Sequence, residues 1–90
     1  MGQKHLTEAE ISDTLAENLV YLRKTRSRRI SQKALARILS LPPKTIMNYE
    51  NSRTVPLAYA VLRIADYYGL TVEELQTKHL EERKRNFETQ

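Results

Sequence analysis

Apolar residues recur along this chain at intervals of three and four, the spacing that lines one face of a helix, and β-branched residues are scattered rather than alternating. Ile11, Leu15, Leu19 and Leu22 form the first stripe, with Glu8, Asp13 and Glu17 on the wet side. Thr7 and Glu10 stand at capping-box spacing, so a first helix is expected to begin there. Ser31 suits the N-cap of a second helix, from Gln32 to about Leu39, with Ala34, Leu35 and Ile38 inward and Lys33 and Arg37 outward. Pro42-Pro43 forbids its continuation while fitting the start of another helix, where a missing amide costs nothing. A third helix is therefore expected from about Pro43 to Asn51, burying Ile46 and Tyr49 or Glu50 and turning Lys44, Thr45, Met47 and Asn48 outward. Ala58, Val61, Leu62 and Ala65 mark a fourth helix stopped by Gly69, and a second capping box at Thr71 and Glu74 opens a fifth with Val72, Leu75 and Leu80. The pattern predicts an all-α, compact five-helix domain over 1–90, its core at about 7–80 and its ends, from Arg83 onward and in the first few residues, poor in apolar anchors.

Charge changes this picture by giving one segment a direction. From Arg23 to Arg53 nine Lys or Arg stand against the single acid Glu50, a local balance of +8 in a chain whose total is +4. The rest is net acidic. Five of those cations fall within Arg23–Arg29, where they repel one another unless solvated or facing phosphate. A cationic stretch over two short helices joined by a tight turn is the electrostatic footprint and the shape that the major groove of duplex DNA accepts.

Other classes lose ground on composition. Ninety residues offer one small core and little room for a deep catalytic cleft. No cysteine is present, which removes disulfides, Cys/His zinc sites and thiol nucleophiles, and His5 and His79 stand apart without neighbouring ligands, so neither metal nor cofactor is expected. The polar N-terminus lacks a signal-peptide core and no apolar run would span a bilayer, which points to a cytoplasmic protein without membrane contact. The five tyrosines fall in apolar stripes and read mostly as core. No Gly-rich phosphate cradle or nucleophile turn supports an enzyme.

Ser31-Gln32 with Leu35-Ala36, then Ile46 and Glu50, then Pro56 leading into a helix closed by Gly69-Leu70-Thr71-Val72-Glu73-Glu74-Leu75, come in an order and spacing that closely resemble the helix-turn-helix family of phage repressors, Cro proteins and Xre-type regulators. The resemblance covers roughly residues 15 to 76. It implies a phage-repressor type fold and a sequence-specific, double-stranded DNA-binding regulator of transcription, a repressor or autoregulator. By position it makes Pro43, Lys44, Thr45, Met47 and Asn48 the base-reading set: Lys44 suits guanine O6 or N7, Asn48 an adenine edge, and Met47 or the proline ring a thymine methyl. Gln32, with Lys33 beside it, is implied as the clamp at the head of the second helix, and Asn51 and Arg53 as the phosphate clamp after the third. Arg23 and Glu50 occupy the positions of a structural ion pair.

Three departures accompany the resemblance. Ser40 stands where the turn usually has glycine, so the serine either bears a left-handed conformation or a different turn replaces it. Pro42-Pro43 replaces a capping hydroxyl and a polar reader, which shifts readout toward apolar contact. The connection from Arg23 to Gln32 is two residues longer than common and carries Arg26, Arg28 and Arg29, an expected grip on phosphate or minor groove. Two copies on a palindromic operator are the usual means of reading enough bases, and Leu75 and Leu80 are the expected homodimer contacts. The competing class is a helical protein-interaction module, or an antitoxin component whose main partner is a protein.

Overall fold

The computed structural model describes residues 5–26 and 29–82; Arg28 and the two chain ends, for which the sequence raised expectations, lie outside them. Among the described residues the regular structure is helical: α1 (Glu8–Thr25), α2 (Gln32–Ile38), α3 (Thr45–Glu50), α4 (Ala58–Tyr67) and α5 (Val72–Thr77), then a helical turn at 80–82. No helix among the described residues is long and apolar enough to cross a membrane.

Thr7 opens α1 through a complete capping box: its Oγ1 accepts from the Glu10 amide at 3.1 Å and its own amide donates to Glu10 Oε1 at 2.8 Å. Thr71 and Glu74 repeat the device on α5. Ser31 Oγ accepts from the Ala34 amide at 3.0 Å and starts α2. Each cap satisfies an amide that the first turn leaves without a partner, a contribution of about 1 kcal/mol.

Leu15, Leu19 and Leu22 of α1 meet Leu35, Ala36 and Leu39 of the α2 end, Ile46 and Tyr49 of α3, Ala60, Val61, Ile64 and Ala65 of α4, and Leu75 of α5 in one core. Each large aliphatic side chain so enclosed contributes about 2 kcal/mol. Helix α1 is the spine, packing against both α3 and α5.

The structure corrects several expectations. Ile38 is exposed, because α2 ends there and the chain turns so that Leu39 and Leu41 take the inward places. Ala58 and Leu62 are exposed and Ala60 and Ile64 buried, because α4 is apolar nearly all round and its inward arc is rotated from the expected one. Of the tyrosines, Tyr59 and Tyr67 on α4 face solvent for the same reason. Helix α3 starts at Thr45, not Pro43: the prolines lead into it through a turn in which the Pro42 carbonyl accepts from the Thr45 amide at 3.0 Å. Leu80 lies past the end of α5, half-buried against the core, and Leu75 is fully enclosed, so the dimer contact expected at Leu75 is replaced by an interior role. A side chain with no exposed surface has none to give a second copy.

Asn18, which the sequence does not single out, ties α5 to α1. Its Nδ2 donates to the carbonyls of Leu75 and Lys78, both at 2.7 Å, and its Oδ1 accepts from the Leu80 amide at 3.2 Å. This buried amide satisfies backbone groups where α5 ends and the chain extends.

Candidate nucleic-acid interface

Helices α2 and α3 are joined by a turn that the sequence makes without glycine. Ser40 takes φ 57°, its amide donates to the Arg37 carbonyl at 3.1 Å, and the Leu41 amide reaches back to the Ala36 carbonyl at 2.8 Å. This pair of bonds is a Schellman motif, and the departure at Ser40 is thus borne by a left-handed serine. The same motif closes α3, with Ser52 at φ 53° and the Arg53 amide on the Asn48 carbonyl at 2.9 Å. It also closes α4, where Gly69 adopts φ 69° with open space around it, so the glycine serves conformation and not close approach.

Helix α3 sets Ile46 and Tyr49 into the core, and the Tyr49 hydroxyl accepts from the Leu57 amide at 3.1 Å, anchoring the loop that follows. The opposite arc holds Lys44, Thr45, Met47, Asn48 and Asn51. Pro43, Lys44 and Asn51 are exposed, and Thr45, Met47 and Asn48 are half-buried. No side-chain cap covers the start of α3.

The back of α3 is held by a charged network. Arg23 donates from Nε to Glu50 Oε2 at 2.7 Å and from Nη2 to Oε1 at 3.0 Å, a bidentate pair, while its Nη1 reaches the Ile30 carbonyl at 2.9 Å. Gln32 Nε2 donates to Glu50 Oε1 at 2.8 Å. The side chains of Arg23 and Glu50 are 13% and 4% exposed, so this is a buried pair. The hydrogen bond that Arg23 donates to Glu50 lifts the guanidinium above its ordinary pKa, against the opposing pull of desolvation, and keeps the cation charged. One residue thereby joins the end of α1, the loop before α2 and the end of α3. Gln32 spends one amide hydrogen inward, and this fixes the plane of its amide at the head of α2.

Cations stand at both ends of α1. Arg26 and Arg29 are exposed past its C-terminus, Arg29 at φ 60°. Arg53 is exposed at the other end, beside Glu8, Ser12 and Asp13, in a loop pinned by the Ser52 hydroxyl donating to Asp13 Oδ1 at 3.0 Å. Residues 13 and 26 of a helix are about 20 Å apart along its axis. Lys33 and Arg37 are exposed on α2. No three His, Asp or Glu among the described residues gather at metal-ligand spacing.

No curated protein and no solved structure matches the chain significantly. A family model described as a helix-turn-helix domain matches residues 20–77, a span that runs from the end of α1 through the α2–turn–α3 unit and the Arg23–Glu50 network to the end of α5. The chain belongs to this helix-turn-helix domain family, which is of the Xre/Cro kind.

Proposed function

We propose that the chain is a sequence-specific double-stranded DNA-binding regulator of transcription, a repressor or autoregulator with the helix arrangement of the phage repressors, acting as one domain in the cytoplasm. The observation that carries this reading is the division of α3. Its back is locked by the core and by Arg23, Gln32 and Glu50, and its front leaves Lys44 exposed and Thr45, Met47 and Asn48 partly exposed, outside the core and within the most cationic stretch of the chain. A rigid helix with free polar and apolar tips is what base readout needs.

In this reading α3 lies in the major groove. Lys44 donates to guanine, Asn48 makes a bidentate bond to adenine, and Met47, Thr45 and the Pro43 ring meet thymine methyls. Gln32, Lys33, Asn51 and Arg53 hold the phosphates on either side, and Arg26 and Arg29 extend the grip past α1. Two copies on a palindromic operator, with recognition helices about 34 Å apart, supply the specificity that one short helix lacks.

Selection of bound sequences from a random duplex library tests this reading. The expected result is a palindromic motif whose preference at one base pair per half-site is flattened by Asn48→Ala, with discrimination falling by about 1 to 3 kcal/mol there. A protein-interaction module would enrich no motif, and unchanged preference in the variant would remove Asn48 from the reading set.

A further inference from the structure

The outward face of α4 is apolar where a solvent-facing helix is ordinarily polar. Tyr59 and Leu62, about one turn apart, are each 59% exposed, and Val55 and Leu57 just before the helix are exposed as well. Isolated exposed apolar residues need no explanation, but a cluster of this kind on one face marks a site of association. Its charges are one of each sign: Arg63 and Asp66, three residues apart. The patch is therefore neutral, unlike the Arg23–Arg53 stretch, and offers phosphate no attraction.

We propose that this face docks onto the same face of a second copy of the chain, with the two α4 helices antiparallel about a two-fold axis beside Leu62. A two-fold interface must be self-complementary, and this one is. Leu62 meets Leu62 of the second copy at the axis, and antiparallel register sets Tyr59 opposite Asp66 of the second copy. The Arg63 guanidinium is drawn back over the Tyr59 ring, 5.7 Å from its centroid, which delivers the cation to that carboxylate. Each contact occurs twice. The inference deepens the DNA-binding reading, on which it rests for its purpose and not for its geometry: the loop from α3 to α4 is anchored by the Tyr49 hydroxyl on the Leu57 amide, so pairing through α4 fixes the separation of the two recognition helices.

Sedimentation equilibrium of the full chain without DNA, across micromolar concentrations, tests the proposal. The expected result is a dimer that Leu62→Glu converts to monomer with helical content unchanged, Leu62 being outside the core. Arg63→Glu and Asp66→Arg are each expected to weaken the dimer at least about tenfold, by setting like charges opposite one another. Mixed in equal amounts, these two variants are expected to recover it as a heterodimer. The carboxylate introduced by Arg63→Glu then faces the guanidinium introduced by Asp66→Arg, and the unchanged Asp66 of the first chain faces the unchanged Arg63 of the second. A wild-type chain that stays monomeric, a Leu62→Glu chain that stays dimeric, or a mixture that fails to associate would each overturn the proposal. Binding of the monomeric Leu62→Glu variant to duplex at low salt separates the two readings. If binding persists while the wild type is monomeric, this inference alone fails; if the dimer forms and duplex binding is absent, the DNA-binding reading alone fails.

Discussion

Glu50 accepts three hydrogen bonds on two oxygens while almost none of its side chain touches water, and the donors come from α1 and α2. Removing one member of such a group leaves the other charge buried without its partner, which costs about 3 kcal/mol or more. Glu50→Ala and Arg23→Ala are each expected to lower the urea-unfolding free energy by about that amount, and the double variant by much less than the two together, because the second change removes the charge the first one stranded. Single variants within about 0.5 kcal/mol of wild type would show that the pair does not hold α3. The pairing partners followed from the resemblance at Arg23 and Glu50. The third donor did not, since a glutamine at the head of α2 is equally suited to a phosphate. Asn18 leaves a trace in the pattern: it lies three residues after Leu15 and four before Leu22, a polar side chain inside an apolar stripe. Buried polar groups need partners, and those of Asn18 are backbone groups far away in sequence, which no local pattern reveals.

Three of the helices end in the same left-handed turn, two of them on serine. For an L-residue that conformation costs about 1 to 2 kcal/mol, partly offset by the smaller entropy a serine loses on folding compared with glycine. Ser40→Gly is therefore expected to raise stability by up to about 1 kcal/mol in thermal unfolding, without changing the direction of α3. Ser52→Gly is expected to gain less, because it deletes the hydrogen bond to Asp13. A destabilising Ser40→Gly would mean that the turn owes its shape to the serine side chain. Element boundaries were legible wherever a cap or a glycine wrote them, as at Thr7, Ser31, Gly69 and Thr71. They were less so at α3, because proline fits both the first turn of a helix and the extended approach to it. The arc of α4 could not be chosen from its composition, since Ala58, Leu62, Ala60 and Ile64 are all apolar and two faces satisfy the same spacing. Only the shape of the core offered by α1 and α5 decides between them.

At the scale of the whole molecule, three surfaces carry different chemistry. The arc of α3 is polar and rigidly backed, the C-terminal end of α1 and the loop after α3 carry cations, and α4 is apolar and neutral. In the proposed complex they meet bases, phosphates and a second copy respectively. Central to this is that the cations face the DNA backbone, and salt dependence reads it most directly, because each phosphate contact releases counterions and adds about 0.9 to the slope of log K against log salt. The decisive measurement is a titration of duplex DNA with the wild-type chain, Arg53→Ala and Lys44→Ala, from about 50 to 200 mM salt. Wild type is expected to bind with a steep negative slope that Arg53→Ala reduces by about one for each copy bound, while Lys44→Ala mainly weakens preference among sequences. No binding at the lowest salt, or a slope that Arg53→Ala leaves unchanged, would contradict the account.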